Sequence, residues 1–241
     1  MNTLLTTFLD FLWPMQCASC GTEARSFLCH ACRAKVKVHP MTACCPICGK
    51  VMMREEAAGK IPEPCPQCRK HKPHFDKACS AAEFSGPIHD LIIQFKYNNG
   101  MWLVKDLTDL LEGAFIAKFA SEKIHTVCPV PLFHAKFRKR GYNQADLLGR
   151  ELARRLSLNY EPDVLRRVRP TTTQTAMNAR DRRKNMENAF VSPPEQRPFV
   201  FGRGFLLIDD VMTTGATVSE CAAALKAGGA ASVFVLSVAR D

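Results

Sequence analysis

Asp209 and Asp210 follow the short apolar run Leu206-Leu207-Ile208 and precede the string Thr213-Thr214-Gly215-Ala216-Thr217. Adjacent carboxylates at the mouth of a buried strand need partners, because a buried carboxylate left unpaired is very costly. Facing a cleft, they accept hydrogen bonds from vicinal hydroxyls. The small residues that follow let the backbone curl round an anion, present N–H groups and hydroxyls, and aim the positive end of the next helix at it. A phosphate monoester fits such a cradle, so the run reads as a site for a ribose 5-phosphate. No Gly-Lys-Ser/Thr follows, which excludes a Walker loop, and the missing G-x-G-x-x-G excludes a dinucleotide fingerprint. Any one of these residues alone would suit an ordinary acidic strand end and a capped helix. The whole string favours the ligand site.

Twelve cysteines are more than core packing uses, and ten precede residue 80. Four pairs have C-x-x-C spacing: Cys17/Cys20, Cys29/Cys32, Cys45/Cys48 and Cys65/Cys68. Two thiolates two residues apart converge on one ion, and two such knuckles complete a tetrahedral Zn²⁺ shell. Disulfides compete with this reading. However, Leu4 to Trp13 lacks the basic flank and small-residue cleavage site of a secretory signal, so a reducing cytoplasm and metal are expected. The simplest pairing is sequential, with Cys17, Cys20, Cys29 and Cys32 on one ion and Cys45, Cys48, Cys65 and Cys68 on another. An interleaved pairing stays open. Cys44 breaks the spacing, and Cys79, Cys128 and Cys221 read as small core residues.

These side chains need a frame. Residues 15 to 72 are rich in Cys, Pro and Lys with few large aliphatics, so zinc would supply much of the fold there. The division expected is a zinc-ribbon region over 1–75 and a second domain over 76–241. From Ala78 the pattern becomes α/β. Strands are expected at Ala78 to Phe84, Ile124 to Val130, Phe205 to Ile208 and Ser232 to Val238. Helices are expected at Ile88 to Phe95, Leu103 to Phe119, Gln144 to Leu156 and Val218 to Ala227. Such alternation implies a doubly wound, mainly parallel sheet with ligands at the carboxyl ends of its strands. No apolar stretch approaches the ~20 residues that span a bilayer. Leu4 to Trp13 reads as a short apolar helix docked on the protein.

The formal charge is +10, and two four-thiolate zinc sites of net −2 each would lower it to about +6. Fourteen Lys or Arg face five Asp or Glu between Lys136 and Lys184. Arg150, Arg154 and Arg155 suit a solvated helix face. Arg138-Lys139-Arg140-Gly141 falls in a turn after a Pro-x-Pro strand end, where it would attract a pyrophosphate or a nucleic-acid backbone. Tyr97, Trp102 and Tyr142 are aromatics able to stack on bases, although Trp102 is assigned to the core.

The acidic string resembles the 5-phosphoribosyl-1-pyrophosphate (PRPP) motif of type I phosphoribosyltransferases: apolar residues, paired acids, then T-T-G-x-T. The resemblance implies that Asp209 and Asp210 contact the ribose hydroxyls and stabilise charge on the ring, while Met212, Thr213, Thr214, Gly215, Ala216 and Thr217 hold the 5′-phosphate. Further segments extend the resemblance nearly end to end. They are Phe84-Ser85-Gly86-Pro87 with Phe95-Lys96-Tyr97, Pro129-Val130-Pro131, Arg138 to Gln144, and Gln174-Thr175 with Arg182-Arg183-Lys184-Asn185. Together with the termini they look like the ComF (ComFC/GntX-type) competence proteins.

That likeness implies a zinc ribbon joined to a type I phosphoribosyltransferase-like domain, and a factor that handles incoming single-stranded DNA in natural transformation. Its place would be cytoplasmic, at most peripheral at the inner membrane, with other DNA-uptake proteins as partners. Val130, Pro131, Arg138, Arg140 and Lys96 would serve the pyrophosphate and its Mg²⁺, and Arg182 or Arg183 would close a flap over the ligand. Two functions stay open: a PRPP-binding DNA-handling factor, or a working phosphoribosyltransferase whose acceptor no motif identifies.

Overall fold

The computed structural model describes residues 15–24, 26–40, 42–52, 63–170, 181 and 185–241. Its frame is a five-stranded, all-parallel sheet. The strands are β1 (Lys77–Glu83), β2 (Thr126–Pro129), β3 (Asn159–Tyr160), β6 (Gly204–Met212) and β7 (Ser232–Arg240), in spatial order β1-β7-β6-β2-β3. A separate antiparallel ribbon pairs β4 (Arg166–Arg167) with β5 (Phe190–Val191).

Burial on both faces explains why the central strands are apolar without alternation. Along β6, Phe205 and Leu207 enter one core and Leu206 and Ile208 the other. Along β7, Val233 and Val235 oppose Phe234 and Leu236 in the same way. The first core is covered by α7 (Arg197–Val200) and α8 (Ala216–Ala227). The second is covered by α3 (Gly86–Tyr97), α4 (Val104–Phe119) and α6 (Gln144–Leu156). Cys79, Cys128 and Cys221 are buried, as expected of core thiols.

The helix termini follow their local chemistry. Pro87 lies in the first turn of α3, where its missing N–H costs nothing. Asn143 caps α6, its Oδ1 accepting from the Ala145 N–H at 3.1 Å while its Nδ2 donates to the Val130 carbonyl at 3.0 Å. One cap thus ties the helix to the loop after β2.

Two expectations need correction. Arg138 to Arg140 do not lie in a turn but close α5 (His134–Arg140), which Gly141 ends at φ +80°. Loop length misleads here, because about two helical turns fit between the strand end and the glycine. Trp102 is not in the core. It lies in a 3₁₀ turn, Gly100–Leu103, and remains 42% exposed. Leu103 takes the interior position instead.

The cysteine-rich segment carries α1 (His30–Arg33) and α2 (Pro66–Lys70) and clasps the sheet from both sides. Cys45, Cys48, Cys65 and Cys68 are buried in the core that α8 covers, whereas Ala18, Phe27 and Leu28 pack on the opposite core. Between them the chain crosses the outer edge of β1, where Val38 bridges Ala82 and the His39 N–H donates to the Ala81 carbonyl at 3.0 Å. An otherwise open sheet edge is thereby paired.

Candidate functional site

The two carboxylates lie within β6 rather than beyond it, because β7 pairs alongside as far as Met212↔Arg240. The Asp210 N–H donates to Asp209 Oδ1 at 2.9 Å. Asp210 Oδ1 is 3.0 Å from Lys96 Nζ, with those side chains only 13% and 17% exposed. Lys96 reaches it from the last turn of α3. Burial, and then the neighbouring Asp210 charge, raise the Asp209 carboxyl to about 7, against the opposing pull of Lys96 and Arg167. Such a group changes charge near neutral pH.

Two cations that the sequence does not single out act on the acid pair. Burial lowers the Lys136 amine, and Arg167, Arg140 and Lys96 push it further down while Asp210 offsets them. Arg167, on β4, is also lowered by burial and acts on Asp209. Cations from α3, α5 and β4 therefore converge on one acid pair, a field suited to a polyanion. In the sequence Lys136 is one member of a basic run and Arg167 one of two adjacent arginines, so neither stands out.

After Met212 the chain turns through Thr213-Thr214-Gly215 into α8. Gly215 stands at φ +78°, a conformation that side chains disfavour, and forms the N-cap of α8. Thr214 Oγ1 accepts weakly from the Ala216 N–H at 3.4 Å. The structure thus brings Asp209, Asp210, Met212, Thr213, Thr214, Gly215, Ala216 and Thr217 into one strand end and turn, with Lys96 against the acids.

Val130 follows β2 beside them, its N–H donating to the Ile208 carbonyl at 2.9 Å, and Pro131 comes next. Arg140 is held by Gln144 Oε1 at 3.0 Å and lies over the Tyr97 ring at 5.0 Å, whereas Arg138 is exposed. Arg182 and Arg183 lie outside the described residues. A groove of about 850 Å³ opens beside the end of β2, lined by Phe133, Asn143, Asp163 and Arg167 among others.

Both cysteine groupings are sequential: Cys17, Cys20, Cys29 and Cys32, then Cys45, Cys48, Cys65 and Cys68, each with its sulfurs within 4.8 Å of one another. A Zn–S bond of about 2.3 Å in a tetrahedron requires sulfurs about 3.8 Å apart. Cys20 and Cys29 stand at 3.7 Å and Cys48 and Cys65 at 3.8 Å. The residues therefore fit structural zinc. Cys44 stays apart, its thiol donating to the Pro40 carbonyl.

The second ribbon also abuts the turn from Thr213 to Gly215 and the helix that follows it. Arg240 donates to the Cys48 carbonyl and lies 3.8 Å from its sulfur, and the His74 N–H donates to Ser219 Oγ at 3.1 Å. A Cβ on Gly215 would come within 3.8 Å of the Phe75 ring.

Two four-cysteine ribbons clasping a parallel sheet define a zinc-ribbon α/β protein. Residues 8–69 match the double zinc ribbon domain model. The chain is 33% identical to "Competence protein F" of Haemophilus influenzae over 90% of its own length and 92% of that protein's. It is 32% identical to "DNA utilization protein YhgH" of Escherichia coli K12, covering 81% and 83%. To "Competence protein ComFC" of Bacillus subtilis it is 24% identical, covering 89% and 84%. The chain belongs to the competence protein F family.

Among solved structures, a PRPP amidotransferase from B. subtilis matches 58% of this chain and 26% of its own at TM-score 0.39 and 18% identity. An adenine phosphoribosyltransferase matches 63% and 74% at TM-score 0.32 and 18% identity.

Proposed function

We propose that this protein binds Mg²⁺-PRPP in the cleft at the end of β6 and handles single-stranded DNA during DNA uptake in natural transformation. The observation that carries the ligand is the acid pair running directly into an anion turn at a helix N-terminus. Asp209 and Asp210 accept from the ribose hydroxyls, and the turn from Thr213 to Thr217 donates to the 5′-phosphate. Lys96, Lys136, Arg140 and Arg167 offset the pyrophosphate charge, with Mg²⁺ held mainly by the ligand's own oxygens. The cellular role is supported by relatives named for competence and DNA utilization.

The groove lined by Phe133 and Arg167 favours a second reading, a phosphoribosyltransferase with an acceptor seated there. Calorimetry with Mg²⁺-PRPP on the zinc-loaded protein, with pyrophosphate followed in the same sample with and without single-stranded DNA, separates the two. Binding without release is expected. Release that requires an acceptor favours the enzyme, and no binding refutes both.

A further inference from the structure

Soluble proteins seldom leave large aromatic side chains together at the surface without a use for them. Here Tyr97, the last residue of α3, is 57% exposed, and Met101 at 50% and Trp102 at 42% lie on the 3₁₀ turn that leads to α4. Neither ring is loose. Arg140 lies over the Tyr97 ring at 5.0 Å and its Nη2 donates to the Tyr97 hydroxyl at 3.3 Å. Trp102 leans on Phe27 of the first ribbon, ring centroids 4.3 Å apart. That ribbon is pinned to α3 in turn: Ser19 Oγ donates to Asp90 Oδ2 at 2.6 Å and the Gln94 side-chain amide donates to the Ala18 carbonyl. Two rigidly held, half-exposed rings thus stand between the ribbon and α5. No acidic residue occurs from Pro131 to Ala145, a stretch that includes Lys136, Arg138, Lys139 and Arg140.

We infer that this shelf is the seat of a single strand of nucleic acid, with bases stacking on Tyr97 and Trp102 and phosphates following Arg138 and Lys139 on the exposed side of α5. The inference rests on the nucleic-acid reading above and assigns it a surface. Flat rings beside a guanidinium suit a sequence-tolerant single strand, because every base has a face to stack and every step a phosphate. Tyr142 has no part in it, since its buried hydroxyl donates to the Phe95 carbonyl. The shelf adjoins the cleft through consecutive residues, Lys96 holding Asp210 and Tyr97 facing outward.

The test uses the full-length, zinc-loaded chain and an oligo-dT probe. The protein has two tryptophans, so Trp13→Phe leaves Trp102 as the sole indole reporter. Oligo-dT is expected to quench Trp102. Trp102→Ala and Tyr97→Leu are each expected to weaken oligo-dT binding roughly 5- to 150-fold, the range for one stacked base, with the salt slope unchanged. Zinc content and the unfolding transition check that each variant is folded. Wild-type protein that fails to bind oligo-dT overturns the nucleic-acid reading and the shelf together. Wild-type binding with Trp102 unquenched and affinity undiminished in both variants overturns the shelf alone. Quenching by anionic vesicles or by rising protein concentration, but not by oligo-dT, also overturns it, assigning the face to a lipid surface or a second copy.

Discussion

Replacing Asp209 with Asn should stabilise the protein while abolishing Mg²⁺-PRPP binding. Its carboxyl is raised from an ordinary 3.8 to about 7 by burial and by Asp210. The folded state therefore holds a proton that the unfolded state releases, so stability is lost as pH climbs from about 4 to about 7. At 1.36 kcal/mol per pKa unit the full penalty is about 4 kcal/mol above pH 8, roughly 1.5 kcal/mol at pH 5 and near zero below pH 4. Partial exposure of the side chain allows water to relieve some of it, leaving about 2 kcal/mol as the expected gain at pH 8. Asn is neutral throughout, nearly isosteric, and its Oδ1 still accepts from the Asp210 N–H. For a chain of this size the gain corresponds to a Tm higher by about 4–8 °C at pH 8. Thermal and urea unfolding of zinc-loaded wild type and variant at pH 5 and 8 measure it. An Asn variant no more stable at pH 8, or one whose advantage is equal at both pH values, refutes the electrostatic account.

Lys96→Met should act oppositely. It strips Asp210 of its 3.0 Å partner and destabilises by about 1–3 kcal/mol, as urea midpoints would record. Replacing Arg138 and Lys139 together with Ala should reduce the slope of log K against log salt for oligo-dT by about 1.4, two lost phosphate contacts at about 0.7 each. An unaltered slope would move the phosphate path elsewhere. Cys17→Ser and Cys48→Ser should each lower bound zinc, measured by metal analysis, from two ions per chain toward one. Only Cys48→Ser should also weaken Mg²⁺-PRPP, since its ribbon supports the anion turn through Arg240, His74 and Phe75.

The central strands and the two thiolate quartets are legible in the sequence because each depends on a local, repeated constraint: apolar runs buried on both faces, and pairs of cysteines two residues apart. The acid pair and its turn are legible for the same reason, being contiguous in the chain. What escapes reading is long-range. Lys136 and Arg167 gain their roles from three-dimensional convergence, and β3 to β5 are two-residue strands too short to leave a pattern. The size of Trp102 argues for burial, whereas the adjacent Leu103 fills the interior and leaves the indole on Phe27. Arg150, Arg154 and Arg155 do form a structural face. Arg155 alone meets Asp109, Glu112 and Glu151 within 2.9 Å, so much of the apparent basic excess there is neutralised locally.

The position of β7 governs how this molecule can be made. It lies between β1 and β6, so Lys77 and its neighbours find their parallel partners only after Ser232 to Arg240 have been synthesised. Until then a nascent chain on the ribosome carries an unpaired strand and reactive thiols whose second quartet shares its core with unmade sequence. Such non-local pairing folds slowly and leaves apolar surface open to misassociation. The second ribbon therefore completes its packing only when β7 is in place, although its four thiolates lie close enough in the chain to gather a metal locally.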